Sequence, residues 1–322
     1  MSGGRKPVCC LTILLKYFKK RVRCRPSKRC NMKRRKNFNL TFFLIFALPT
    51  LIIFTLVIVV PFIYGLFMSF TNTNGMSGNS WVGFSNYAAV FHDSTFWNSF
   101  IVTIEYVVAC VVLTNILAFI IAYLVTSGIK GQNFLRAAFF TPNLIGGIVL
   151  GLIWNFIFRQ VLVNVGTAYS IPIFQETWLA DPVKALWTLI IVTVWQMSGY
   201  MMIIYIAGFT GISQDVLEAA EIDGCTNFQK VTKIEMPLMV PSFIICLFLT
   251  LSRCFMVYDT NISLTKGEPF GSTVLISLNI YREAFNNNNY AKGQAEAFLL
   301  FIIIAALSVT QVYIGKKMEV EQ

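Results

Sequence analysis

"EAAEIDGCTNFQKVTKIEMP", Glu218 to Pro237, is a polar block lodged between two of the most apolar stretches of the chain. Glu218, Glu221, Asp223, Lys230, Lys233 and Glu235 all fall within these twenty residues. The block reads locally as helix, turn, helix. Asp215 with Glu218 three residues on has the pattern of a capping box, with carboxylates favoured at the positive end of a helix. Glu218-Ala219-Ala220-Glu221 has good helix propensity. Gly224 ends that helix, because glycine enters the left-handed backbone region without a Cβ penalty. Thr226 or Asn227 can cap a second helix, in which Phe228, Val231 and Ile234 recur every three residues on one face. Pro237 stops it. Two short helices joined at a glycine make a compact knob, and Ala219 and Ala220 keep one face slim enough for close approach to a partner.

The surroundings explain why a knob stands out. The chain has 322 residues, 56% of them hydrophobic and only 13% charged, against about 25% charged in soluble domains. A spanning helix needs about 20 mostly apolar residues. Six segments reach that length, at about residues 42–70, 100–126, 137–158, 185–209, 238–257 and 295–314. Backbone polar groups in lipid must pair within the segment, so these spans are expected to be α-helices. Their all-round apolarity excludes the alternating pattern of a membrane β-barrel. The expected fold is therefore all-α, a polytopic membrane protein with six transmembrane helices.

The net charge of +11 suggests nucleic acid until it is located. Fourteen of the 26 Lys and Arg lie in residues 1–36, so the excess belongs to one basic tail. Such a tail ahead of a hydrophobic span attracts anionic headgroups and sets topology. Within it, "CLTILLKYFKK" is broken by Lys16, Lys19 and Lys20 and lacks an A-x-A site. It reads as an interfacial amphipathic segment on membrane lipid and not as a cleaved signal. With both termini cytoplasmic, Lys and Arg divide 20 to the inside and 5 to the outside, with Arg253 inside a span. The positive-inside rule then puts Glu218–Pro237 in the cytoplasm. His92 is the only histidine, which excludes a metal site built on several histidines, and the cysteines show no paired C-x-x-C spacing, so no metal is expected.

The spacing of the polar block resembles the cytoplasmic EAA motif of binding-protein-dependent ABC importer permeases. It reads Glu218-Ala219-Ala220, three residues, Gly224, nine residues, then Ile234-Glu235-Met236-Pro237. Met236 stands where leucine is usual, a volume-conserving swap, and Asp223 fits the form found in sugar importers. "LPTLIIFTLVIVVPFIYGLFMSFT" (Leu48 to Thr71), "WVGFSNYAAVF" (Trp81 to Phe91) and "IYREAF" (Ile280 to Phe285) are similar to segments of sugar permeases of the maltose and glycerol-3-phosphate type, first-subunit form. The family's T-G-G-G-P loop stands here as Thr265-Lys266-Gly267-Glu268-Pro269, with charges replacing two glycines. The resemblance covers about residues 40–315 and divides the chain into a tail, 1–36, and a transmembrane permease domain, 37–322. It implies a coupling loop at about 211–237, in which Glu218, Ala219, Ala220, Asp223, Gly224, Phe228, Val231, Ile234 and Pro237 meet an ATPase. No G-x-x-x-x-G-K-[ST] phosphate loop occurs, so the chain has no ATPase motif of its own. The resemblance places ATP and its Mg in separate ATPase subunits. It also implies a second permease subunit, an extracytoplasmic solute-binding protein and a bacterial cytoplasmic membrane location. The cargo implied is a carbohydrate, chiefly a di- or oligosaccharide.

Candidate pathway residues follow from polarity inside the spans. Glu105 and Arg253 lie at similar depths in the second and fifth spans, where ionisable groups are expensive. They either pair with one another, or Arg253 snorkels outward, or one or both hydrogen-bond a sugar. Asn143, Trp154, Trp195 and Gln196 are further candidates, since sugars are held by amides and by aromatic faces. Packing and interface anchoring account equally for the tryptophans, and Asn143 can instead satisfy backbone opened by Pro142. The competing function is an ion-gradient-driven secondary transporter or channel, which would call for several intramembrane carboxylates. A membrane enzyme finds no support, with no H-E-x-x-H and no nucleophile motif.

Overall fold

The computed structural model describes residues 46–74 and 80–318. The basic tail, with its amphipathic run, lies outside the described residues. In chain order α1 spans Leu48–Met68, α2 Ser85–Phe91, α3 Ser94–Thr126 and α4 Gln132–Phe140. Then follow α5, Gly147–Ala168, α6, Pro182–Thr210, α7, Gln214–Ile222, and α8, Asn227–Leu238. The chain continues with α9, Val240–Phe255, α10, Asp259–Leu264, α11, Ile276–Tyr281, and α12, Tyr290–Met318. Among the described residues the β contact is an isolated bridge between Thr71 and Trp81. The architecture is all-α.

Five helices, α1, α3, α5, α6 and α12, are long and apolar enough to cross a membrane, and α8 with α9 makes a sixth if counted as one broken span. Several boundaries differ from the expected ones: α3 begins at Ser94 and α12 at Tyr290, each a turn or more early, and α5 runs on to Ala168. The third crossing starts at Gly147, not near residue 137, because the chain leaves helical geometry at Ile145 and Gly146, whose ψ angles are 127° and 142°. The residues before the break form the separate α4 and a 3₁₀ turn, Thr141–Leu144. Pro237 does not end its helix. It sits in the final turn, Met236–Leu238, and the break comes two residues later at Met239 (ψ 5°).

The chain divides into two compact units. Among the described residues, one holds Ile212–Ile234 together with 46–63, and the other holds 64–211, apart from 75–79, and 235–318. The larger unit is organised around α3 and α6, which pack along each other. Helix α9 packs on both, α12 packs on α9, and α10 packs on α5. Apolar contact is reinforced by a buried polar spine. Tyr106 and Thr193 share a hydroxyl bond of 2.6 Å, and Tyr205 donates to Asn115 Oδ1 at 2.8 Å. Asn115 Nδ2 donates to the Val111 carbonyl at 2.7 Å and to Thr250 Oγ1 at 3.4 Å. These bonds fix the rotation of α3, α6 and α9, because breaking one leaves a buried polar group unpaired. Gly199 is required by closeness, since an added Cβ would overlap the Phe139 carbonyl where α6 meets α4.

Helix termini are secured by side chains. Asp93 caps α3 by accepting from the Thr95 N–H at 2.8 Å. Asp181 caps α6 by accepting from the Val183 and Lys184 N–H groups, both at 2.9 Å, behind Pro182 at the first position. Lys292, in the first turn of α12, bridges Asp93 at 2.6 Å and Glu283 at 3.0 Å, and clamps α12 to the start of α3. Burial alone would push both carboxyls up. Hydrogen bonds from Lys292 and the Thr95 N–H outweigh it at Asp93, and bonds from Asn287, Asn289 and Lys292 outweigh it at Glu283. Both therefore sit below their ordinary values.

Candidate coupling surface and translocation site

The coupling segment folds as a helical hairpin of defined geometry. Ser213 occupies the N-cap of α7, and its hydroxyl makes no cap bond. Asp215 lies inside the first turn, so the expected Asp215–Glu218 capping box is not formed; Asp215 acts only as a charge at the positive end of the helix. At the other end the Gly224 N–H donates to the Glu221 carbonyl at 3.0 Å and the Cys225 N–H to the Ala220 carbonyl at 3.1 Å. With Gly224 at φ +74°, this is a Schellman termination. A Cβ added at Gly224 would meet nothing within 4 Å. The glycine is there for its backbone angle and not for space.

The capping box belongs to the next helix. Thr226 Oγ1 accepts from the Gln229 N–H at 3.3 Å, and Gln229 Oε1 accepts from the Thr226 N–H at 3.1 Å. Lys230 returns across the turn to Glu221 at 2.9 Å and joins the two arms. Ala220 is buried in the elbow. Glu218, Ala219, Asp223 and Gly224 are exposed, and Val231, Ile234 and Pro237 are half-buried. Phe228 is 77% exposed, so it does not share one buried face with Val231 and Ile234. A π-helical turn, Val231–Glu235, changes the register after Lys230. Ile222, missed in the sequence reading, is 87% exposed. It lies four residues beyond Glu218, a spacing that puts both on one helix face.

In the larger unit, Asn143 meets Arg253, Trp154 meets Trp195, and Gln196 bonds the chain break that follows Asn143. Arg253 Nη1 donates to Asn143 Oδ1 at 3.1 Å, and its guanidinium stands 4.9 Å from the centroid of the Tyr200 ring. Gln196, one turn before Tyr200 on α6, donates to the Ile145 carbonyl at 3.0 Å and so holds the break ahead of α5. Trp154 and Trp195 meet edge to face, 5.4 Å between centroids. Arg253 also lines a cavity of about 420 Å³, with Gly147, Ser252, Met256, Tyr258 and Asp259 among its other walls. Tyr200, Tyr258 and Asp259 were not singled out from the sequence; Tyr200 was within reach as the i+4 neighbour of Gln196.

Glu105 does not join them. The ion pairs among the described residues are Lys230–Glu221, Lys292–Asp93 and Lys292–Glu283, so the expected Glu105–Arg253 pair is absent there. Glu105 lies on the exposed face of α3, whereas Arg253 is turned towards Asn143 and Tyr200. Equal depth in two helices says nothing about the direction in which each side chain leaves its helix.

Residues 114–320, which include the helical hairpin and the Arg253 cluster, match the family of binding-protein-dependent transport system inner membrane components. The chain belongs to this family. It is 44% identical over 277 residues to the probable starch degradation products transport system permease protein AmyD of Thermoanaerobacterium thermosulfurigenes, covering 86% of this chain and 94% of that one. It is 34% identical over 277 residues to the multiple sugar-binding transport system permease protein MsmF of Streptococcus mutans, covering 84% and 96%. Among solved structures, a bacterial ABC transporter involved in import of the acidic polysaccharide alginate matches with a TM-score of 0.75 at 20% identity, over 86% of this chain and 96% of that one. That likeness establishes the fold. This permease is accordingly a multi-pass membrane protein and a transport subunit of an ABC importer, and its family is one of permease subunits, not enzymes.

Proposed function

We propose that this permease imports a carbohydrate, chiefly a di- or oligosaccharide, by alternating access. The observation that carries the reading is the Asn143–Arg253–Tyr200 cluster, whose Arg253 lines the cavity, with Gln196 one turn from Tyr200 and Trp195 next to it in sequence, in edge contact with Trp154. Amides and a guanidinium supply donors and acceptors for hydroxyl groups, and aromatic faces stack on the apolar face of a sugar ring. The cavity is within the range of about 300–1,000 Å³ usual for small-molecule sites. The names of the relatives, one handling starch degradation products and one multiple sugars, point the same way.

The coupling hairpin is read as the docking element for an ATPase. Ile222 and Phe228 offer exposed apolar anchors on the two sides of the turn, and Glu218 and Asp223 offer charge. ATP and its Mg are bound by the ATPase subunits, whose closure shifts the permease between inward- and outward-open states through contacts that differ between them. A second permease subunit completes the pathway and an extracytoplasmic solute-binding protein delivers cargo. Both termini are placed in the cytoplasm of a bacterial cell, with the basic tail on membrane lipid. The test is uptake into proteoliposomes holding the full assembly, with labelled maltooligosaccharides competed by unlabelled sugars, amino acids and glycerol-3-phosphate. Competition by sugars alone, with uptake lowered at least tenfold by Arg253→Ala, is expected. Competition by amino acids alone would overturn the cargo assignment.

A further inference from the structure

Helix α3 carries a carboxylate where a lipid-facing helix should not have one. Ile101, Val108, Val112, Ile116 and Ile120 are all about half exposed and recur with Glu105 at intervals of three or four residues, so they form one stripe. The opposite face, with Tyr106, Cys110, Asn115 and Ala118, is buried against the rest of the larger unit. The helix cannot rotate to hide Glu105. Turning it would break the Tyr106–Thr193 and Asn115–Tyr205 bonds.

Depth can be judged from Trp97, half exposed and donating its indole N–H to the Phe91 carbonyl at 2.9 Å, as an interfacial tryptophan does. Glu105 lies eight residues further along, about 12 Å deeper at 1.5 Å per residue. Its carboxylate makes no hydrogen bond or ion pair with any described residue. Bare in hydrocarbon, such a group is costly, and the stripe around it supplies no donor.

We infer that this stripe is the contact face for a spanning helix of a second, different permease chain, which sets a cationic or hydrogen-bond-donating side chain against Glu105. The inference rests on the proposed importer reading and adds to it the location of that contact. A second copy of this chain meeting it through the same stripe does not serve. Isologous contact would set Glu105 against its own image among isoleucines and valines, with no cation to offer. The occupant therefore presents a surface complementary to the stripe, not a copy of it, and a second, different permease supplies one.

The test uses the full chain co-expressed with the second permease of its transport system, with a photo-crosslinking amino acid placed at Val108 or Val112, and at Phe301 on α12 as comparison. The expected adduct at Val108 and Val112 contains the second permease, identified by mass spectrometry, at least fivefold above the yield at Phe301. Glu105→Leu, which inserts into lipid more readily than the native chain, should lower co-purification of the second permease at least tenfold, and Glu105→Gln, which keeps a hydrogen-bonding head, by less than threefold. Adducts only with lipid, with this chain's own residues or with another copy of it would overturn the inference, as would unchanged co-purification of Glu105→Leu. If the second permease fails to associate with the unsubstituted chain at all, the importer assembly itself is wrong; if it associates without crosslinking at the stripe, only the location is.

Discussion

Replacing Gly224 by alanine isolates one physical quantity. The residue sits at φ +74° with open space where a Cβ would go. Steric overlap with neighbours therefore contributes nothing, and the whole penalty is the cost of holding an L-residue in the left-handed region, about 1–2 kcal/mol. That cost falls on the Schellman turn, whose two bonds end α7 and aim α8. It lowers the population of the correctly folded hairpin by roughly 5- to 30-fold relative to competing conformers. Asparagine tolerates this region better than alanine. The predicted order of ATPase co-purification and of ATP-driven uptake is therefore Gly, then Asn, then Ala, with membrane levels equal because the hairpin is exposed. Gly224→Asp should uncouple ATP hydrolysis from transport, adding a carboxylate to the Glu218 and Asp223 face. Uptake and hydrolysis unchanged in both the alanine and aspartate variants, or asparagine worse than alanine, would show that the left-handed turn at Gly224 does not set the docking geometry.

Other outcomes are expected elsewhere. Lys292→Met leaves Asp93 and Glu283 without their shared cation and should destabilise the detergent-solubilised protein by about 1–3 kcal/mol, read as a lower Tm; an unchanged Tm counts against the clamp. Because both carboxyls are depressed in the folded state, their contribution is present at neutral pH. It is lost as pH falls through the folded values, which lie below the ordinary 3.8 of Asp93 and 4.5 of Glu283. Acid titration of Tm should thus be shallower in Lys292→Met than in the native chain. Arg253→Lys keeps the charge but loses the planar fork that meets both Asn143 and Tyr200, so the KM for uptake should rise about tenfold with the ATPase coupling ratio intact. Tyr106→Phe strands the Thr193 hydroxyl in the core at about 1–2 kcal/mol, visible in thermal unfolding without loss of assembly.

The parts of this protein legible in its sequence are those governed by local backbone chemistry and by hydrophobic length. Gly224 was readable because a left-handed turn calls for glycine, and Thr226 because a cap needs a short oxygen-bearing side chain. The apolar lengths of α1, α3, α6 and α12 declare helices wherever lipid is the solvent. The break at Ile145–Gly146 escaped hydropathy because both sides of it are apolar; Pro142 and the glycine pair Gly146-Gly147 were the available signals. Asp215–Glu218 matched a capping pattern, but Ser213 had already taken the cap position through its extended backbone, ψ 138°. Arg253 found Asn143 and Tyr200 and not Glu105 because rotation about a helix axis is settled by tertiary packing, here the polar spine linking α3 to α6 and α9.

The energy source is the most direct test of the whole account. Proteoliposomes containing the permease assembly, with the solute-binding protein and labelled oligosaccharide outside, can be energised either by ATP trapped inside or by an imposed proton or sodium gradient. Accumulation is expected with ATP and binding protein together, none with either alone, and none with the ion gradients. Accumulation driven by a gradient without ATP, unaffected by Gly224→Asp, would contradict the importer reading.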